Sequence, residues 1–373
     1  MSEPAPEQRP STGILPSQEL RALILEGAVA GPDLDEKQIQ PASLDLRLGP
    51  VAYRVRASFL PGRAASVRER VETLGMHEID LRKGAVLEKG CVYIVPLLES
   101  LRLGKRLSGM ANPKSSAGRL DVFCRVITDG GGEFDRIREG YKGPLYAEIS
   151  PRGFSLVVRQ GSRLVQLRLR RGSPVLGERA LKKLHEEEGL VEGGQANAIA
   201  GDSVVLGVSL MPDGADGVVG YRARRDTDTV DVDKVDFYDP FDYWEAVRVR
   251  AGTGLILSPD DFYILSSKEA VNVPPDHAAE MVAYDTLVGE FRVHYAGFFD
   301  PGFGHAGTGG AGSRAVLEVR SHEVPFLIEH GQAVGRLQYE RLTALPDKLY
   351  GVGIGSSYQR QGLQLGKQFK RIS

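Results

Sequence analysis

One stretch of this chain occurs twice. DFYILSSKEAVNV (261–273) follows the pattern of CVYIVPLLESLRL (91–103) and places Tyr263 170 positions after Tyr93. AEMVAYDTLVGEFRVH (279–294) echoes SGMANPKSSAGRLDVF (108–123) at an offset of 171. The spacings agree better than the letters. Ser115 to Asp129 and Thr286 to Asp300 are both 14 residues, and Glu148 to Gly161 and Glu318 to Gly331 are both 13. Between the Asp and the Glu each half carries a Gly-rich loop, 19 steps long in one and 18 in the other. Solenoid repeats run at roughly 20–50 residues, so a period this long means a duplicated domain. Within 373 residues it predicts two units in tandem, with a boundary near 190–205.

The local pattern says what those units are made of. Residues 1–16, rich in Pro, Ser and Glu, read as a flexible lead-in. A short helix follows, with Leu20, Leu23 and Ile24 on one face, Ser17 after Pro16 as its N-cap and Gly27 as its stop. Leu44, Leu46 and Leu48 alternate with polar residues as in a half-buried strand. Strand-like runs continue at 91–98, 121–127, 144–150, 154–158 and 163–170, punctuated by Gly and Pro. Such short strands between frequent turns suit a β-sandwich or barrel. ERALKKLHEEEGL (178–190) is the one other helix expected, and GGQANAIAGD after it reads as a connector. The predicted fold is mainly β: two tandem β-sandwich or barrel domains with a short N-terminal helix and a connecting helix. The expected division is a lead-in at 1–16, a first domain at 17–195, a second at 196–345 and a tail at 346–373.

Composition excludes several classes. With 47 basic and 49 acidic residues the formal charge is −2, which argues against a broad basic face for nucleic acid and leaves room for a local anion site. Cys91 and Cys124 are too few for a disulfide scaffold and fit a reducing cytosol. No run approaches the roughly 20 apolar residues of a membrane helix, and the first residues lack a signal-peptide core. The expectation is a cytoplasmic protein without membrane or nucleic-acid partners. P-loop, HExxH and GxSxG motifs are missing, as is the zinc deaminase signature. The histidines (77, 185, 277, 294, 305, 322, 330) show no ligand spacing, so neither zinc nor another protein-held metal is expected.

Three segments carry polar chemistry. In Lys114-Ser115-Ser116-Ala117-Gly118-Arg119 two cations flank adjacent hydroxyls, a turn that can offer N–H groups, hydroxyls and charge to a polyphosphate or can simply be solvated. In Tyr146-Ala147-Glu148 a carboxylate sits in an apolar strand. Facing the core it would have a raised pKa and could shuttle protons; facing solvent it would be an ordinary strand residue. Ser357-Tyr358-Gln359-Arg360-Gln361-Gly362 lies in a polar, Gly-rich tail after Tyr350.

Taken in this order, the segments resemble the dCTP deaminase family of the trimeric dUTPase-like superfamily. Ile39-Gln40-Pro41-Ala42-Ser43-Leu44-Asp45-Leu46-Arg47-Leu48-Gly49 is similar to the family's opening, and Lys114–Arg119 to its R-S-S-L-x-R turn with Lys for the first Arg. Leu145-Tyr146-Ala147-Glu148 resembles the strand that ends in the catalytic Glu, and Arg159-Gln160-Gly161 through Val165-Gln166-Leu167 the strand after it. In the second half, Phe299-Asp300-Pro301-Gly302-Phe303 resembles the I-D-P-G-[WF] turn, Val316-Leu317-Glu318 the V-L-E strand, and Gly331–Leu337 the next one. The tail with Tyr350, Tyr358 and Gln361 resembles the segment that closes over the nucleotide. The phosphate turn is intact only in the first half. Its counterparts are Asp285, Thr286 and Glu290, and two carboxylates there would repel a triphosphate. The second half is therefore expected to be a structural or lending domain. Asp129 is followed by Gly130-Gly131-Gly132 instead of Pro-Gly, and Asp135 is a rival for its place.

The resemblance implies hydrolysis of dCTP to dUTP and ammonia, metal-free at the base. Glu148 would be the general acid/base, Ser115 would hold the water, and Arg119 would orient the Glu. Lys114, Ser115 and Ser116 would contact phosphates, with Mg²⁺ carried by the nucleotide triphosphate. Thr128, Asp129, Tyr146, Ala147, Gln166, Tyr350 and Gln361 complete the expected nucleotide contacts. It also implies a homotrimer or another threefold homo-oligomer. The competing readings are a dUTP diphosphatase, a bifunctional deaminase–diphosphatase, and an inactive nucleotide-binding trimer.

Overall fold

The computed structural model describes residues 11–192, 198–212, 216–250, 252–283, 291–294, 297–321, 324–351 and 362–372, with Ala283 and 291–294 known by backbone only. In the first half Val165–Arg171 lies between Gly13–Ile14 and Leu107–Pro113, with Arg136–Ile137 beyond and Leu44–Leu46 also paired to it. Facing this sheet is a second, in the order Gly75–Asp80, Val51–Val55, Val92–Arg102, Lys142–Pro151, Val122–Thr128. Their inner faces enclose Leu46, Val95, Val126, Ala147, Leu167 and Leu169, all at most 1% exposed. The second half builds its own layers around Phe262–Val271, Ser313–Ser321, Ser203–Ser209, Ala333–Arg341 and His277–Ala283. The fold is mainly β, two tandem β domains with a short N-terminal helix and a connecting helix.

The duplication survives in the strand register. Glu148 stands opposite Ile94 and Ile149 opposite Tyr93, while Glu318 stands opposite Ile264 and Val319 opposite Tyr263. Even a polar detail repeats: the Tyr93 hydroxyl accepts from the Glu88 N–H at 2.9 Å, and the Tyr263 hydroxyl from the Ser258 N–H at 3.1 Å. Leu167 pairs with Ala111 and Leu337 with Met281, so an offset of 170 holds in this strand too, where the letters suggest 171.

Local readings hold in part. The first helix is Ser17–Leu25, capped by Pro16 with no side-chain bond, while the Ser17 hydroxyl bonds Asp347. Gly27 stops it at φ 72°, a left-handed turn that costs Gly little. The connecting helix Glu178–Glu188 ends at left-handed Gly189 and buries Leu181 and Leu184 in the second core. Leu44–Leu46 is buried on both faces, not one, because Asp45 pairs inward with Lys114 at 2.5 Å. The helix Val67–Leu74 is not foreseen from its charged, weakly periodic residues. Its signal is the Ser66/Glu69 capping box, in which Ser66 N–H donates to the Glu69 carboxylate at 2.7 Å.

Buried ion pairs lock the halves together. Arg168, 1% exposed, donates to the Glu340 carboxylate at 3.1 Å and to the carbonyl of Ala279 at 3.1 Å, with its guanidinium 4.0 Å from the Phe298 ring centroid. Arg320 bonds Asp121 and the carbonyl of Asp260. Asn112 donates to Glu280 at 3.0 Å. Removing one partner of a buried pair strands the other charge. Arg168→Met should therefore lower the unfolding free energy by about 3–5 kcal/mol, read from urea denaturation midpoints.

Candidate active site

The strand Leu107–Pro113 ends at a proline, and the chain turns into a single helical turn, Ser115–Gly118. This exposes Ser115 while burying Ser116 and Arg119, the latter to 2%. Lys114 is held by Asp45, and Arg119 donates to the carbonyls of Gln364 at 3.0 Å and Leu365 at 3.3 Å. Two cations and two hydroxyls thus line a cavity of about 250 Å³.

The opposite wall comes from the second half. Glu318, on strand Ser313–Ser321, is 6% exposed and lines the cavity with Val316, Met281, Phe299, Asp300 and Phe303. A Cβ built on Gly118 would stand 3.0 Å from Glu318 Oε1, so the carboxyl lies directly over the turn, in close contact with the glycine. Burial pushes the Glu318 carboxyl up to about 8; Arg119 pulls it down and Asp121 pushes it further up. Asp300 opens the Asp300-Pro301-Gly302-Phe303 turn, its Oδ1 3.6 Å from the Arg168 guanidinium. Burial raises it to about 6 against the pull of Arg168. Tyr350 docks on the same turn, its N–H donating to the Pro301 carbonyl at 2.8 Å and its ring 5.5 Å from that of Phe303.

The structure therefore brings together Lys114, Ser115, Ser116, Arg119, Gln166 and Tyr350, and adds Gln40, Asp300, Glu318 and Lys367. It does not bring Glu148, Thr128, Asp129, Tyr146 or Ala147 to this cavity. Glu148, 2% exposed, is bound by Arg125 at 2.6 Å, and that guanidinium lies 3.7 Å from the Phe134 ring centroid and also reaches Ser58. Asp129 accepts the Val67 N–H at 2.8 Å, and Gly130 and Gly131 bond the backbone of Ala65 and Gly62. Ala147 is packed in the core and Thr128 is buried. Tyr146 lines a different cleft, with Tyr53 and Val71. Asp135 accepts from Val126 N–H at 2.7 Å, and burial raises it to about 7. Gln361 and Tyr358 lie outside the described residues, as do Asp285, Thr286 and Glu290. Among the described residues no group of three or more His, Cys, Asp or Glu is placed to hold a metal, and no helix is long and apolar enough to cross a membrane.

Glu318 and Asp300 escape a reading that assigns each half its own site. Their signal is complementary loss: the Lys114–Arg119 turn is intact only in the first half, and Asp-Pro-Gly-Phe only in the second.

Residues 11–173 match the model of the 2'-deoxycytidine 5'-triphosphate deaminase N-terminal domain, and residues 177–369 that of its C-terminal domain. The chain belongs to the dCTP deaminase family. The crystal structure of 2'-deoxycytidine 5'-triphosphate deaminase from Agrobacterium tumefaciens is 56% identical, with a TM-score of 0.85, covering 91% of this chain and 100% of that one. A dUMP-forming dCTP deaminase of Halobacterium salinarum is 33% identical over 35% of this chain, and a dCTP deaminase of Natronomonas pharaonis 30% identical over 35%. In both cases the match spans 63% of the relative's own length.

The raised Glu318 pKa in this dCTP deaminase family member has a consequence for stability. The carboxyl ionises near 4.5 when unfolded and near 8 when folded, so between these values the native state holds more protons and loses stability as pH rises. Glu318→Gln removes that loss. Its thermal midpoint should exceed the parent's by a margin that grows from the acid to the alkaline end of that interval.

Proposed function

We propose that this protein hydrolyses dCTP to dUTP and ammonia in the cavity between its halves, with Glu318 as the general acid/base. The reading rests on one observation: the Glu318 carboxyl lies over Gly118 and beside Arg119, in the same cavity as Lys114, Ser115 and Ser116. A carboxyl that titrates near neutrality can both take and return a proton. Ionised Glu318 takes a proton from a water held near Ser115, and the water oxygen bonds to C4 of cytosine. The proton passes to N3, and a second one, from the attacking hydroxyl, goes through Glu318 to the exocyclic amine. The C4–N bond breaks, ammonia leaves and the C4 carbonyl forms. Arg119 offsets charge on Glu318, and Asp300 takes the sugar. Lys114, Ser115 and Ser116 take phosphates, Gln166 and Tyr350 flank the nucleotide, and Mg²⁺ enters as part of the substrate. A threefold assembly of such chains belongs to the same reading.

The test is ammonia release and product identity from dCTP for the parent, Glu318→Gln and Glu148→Gln. Glu318→Gln should lose about 10²–10⁴ in kcat, as expected for a lost proton carrier, while Glu148→Gln keeps turnover. For the parent, kcat/KM should climb with pH towards about 8 as Glu318 ionises. The reverse pattern of mutants would return the role to Glu148. The name of the Halobacterium relative favours a second outcome, dUMP and pyrophosphate as products, which the same assay separates from dUTP.

The reading also predicts one nucleotide per chain, because Arg125 and residues 58–67 fill the surroundings of Glu148 and Asp129. Calorimetric titration of Glu318→Gln with dCTP should give a stoichiometry of one. A value of two would show that the first-half counterpart is open.

A further inference from the structure

The proposed chemistry uses the cations of the Lys114–Arg119 turn and leaves one further cation of the same cavity without a role. Lys367 lines the cavity beside Lys114, and its ammonium has no hydrogen bond or ion pair among the described residues. Its position is fixed by its neighbours. Its carbonyl accepts from Asp236 N–H at 2.9 Å, and that of Gln368 accepts from Phe237 at 3.0 Å and Tyr238 at 3.1 Å. The Gln368 side chain donates to the Val232 carbonyl at 3.1 Å. Phe369, 3% exposed, is wedged among Phe154, Tyr243 and Trp244. On the other side Arg119 grips the carbonyls of Gln364 and Leu365. The segment is thus held to the phosphate turn and to the second half at once.

Charge bookkeeping singles out Lys367 further. Lys114 is neutralised by Asp45, whereas among the described residues Lys367 is half-buried, repelled by Lys114 and Arg163, and compensated at a distance by Asp233 and Asp45. Burial and the Lys114 charge both lower its pKa. A half-buried ammonium held beside another cation is stabilised when an anion arrives between them.

We infer that Lys367 binds the outer phosphates of the nucleotide and sets the site's preference for a triphosphate over shorter phosphate chains. This deepens the proposed function and rests on it. Lys367 is a positioning residue: it touches the phosphates and leaves the proton transfers at C4 to Glu318.

The experiment compares Lys367→Met, Lys367→Arg and the exposed control Lys370→Met in steady-state kinetics on dCTP and dCDP. Binding of inorganic tripolyphosphate is measured by calorimetry on the same proteins. Lys367→Met should raise KM for dCTP about 10- to 100-fold with kcat within about twofold, the size expected for one charged hydrogen bond. The preference for dCTP over dCDP should shrink by a similar factor. Lys367→Arg should recover most of the loss, and Lys370→Met should leave both constants unchanged. An unchanged KM in Lys367→Met, or a fall in kcat alone, overturns the inference. If the parent binds tripolyphosphate and Lys367→Met does not, yet no ammonia is released from dCTP, the deaminase reading fails and Lys367 keeps its anion site.

Discussion

Charge buried between the two halves governs the rest of this molecule. Arg168, Glu340, Arg320 and Asp121 are each at most 5% exposed, and none can be left unpaired without a large desolvation cost. Their geometry tolerates one docking of the halves, since a shift of a few ångströms would open every pair. That docking sets Glu318 against Gly118 and brings Asp300 into the same cavity as the Lys114–Arg119 turn. The geometry of the cavity is thus inherited from an interface whose cohesion depends on ion pairs outside it.

The two glutamates show how one strand position acquires two fates. Glu148 and Glu318 occupy the same register on equivalent strands, opposite Ile94 and Ile264. Glu148 meets Arg125, whose guanidinium is stacked on Phe134, and becomes half of an ion pair. Glu318 faces a glycine and a cavity, so burial raises its pKa. The difference lies entirely in what the neighbouring chain segments place beside it. The segment through Ser58 and the helix Val67–Leu74 packs on one side, and the Ser115–Gly118 turn borders a cavity on the other.

Much of this was legible in advance. The 170-residue offset announced the duplication, and alternation with Gly and Pro announced the β architecture. The turn residues Lys114, Ser115, Ser116 and Arg119 stood out because hydroxyls between cations are unusual in a strand-rich chain. Pairing was not legible. Spacing along one half says nothing about which half a turn will face, so the resemblance of Leu145–Glu148 to the catalytic strand pointed to Glu148, and Glu318 required three-dimensional contact. Lys367 carried no pattern at all, because its place depends on Phe369 finding an aromatic nest some 125 or more residues upstream. The helix Val67–Leu74 was hidden by its charge, although its capping box was written in Ser66 and Glu69.

The joining of the halves in one polypeptide also changes what a single substitution can do. In an assembly of identical single domains, every residue appears in each copy of the site, so a change that helps one role is imposed on all the others. Here the residues of the two halves are inherited separately. Asp129 is followed by a run of glycines while Asp300 keeps its Pro-Gly turn, and Glu148 has taken an arginine while Glu318 has no ion pair among the described residues. The two halves are thus free to diverge under different constraints, one keeping the Lys114–Arg119 turn and the other the carboxyls of Asp300 and Glu318.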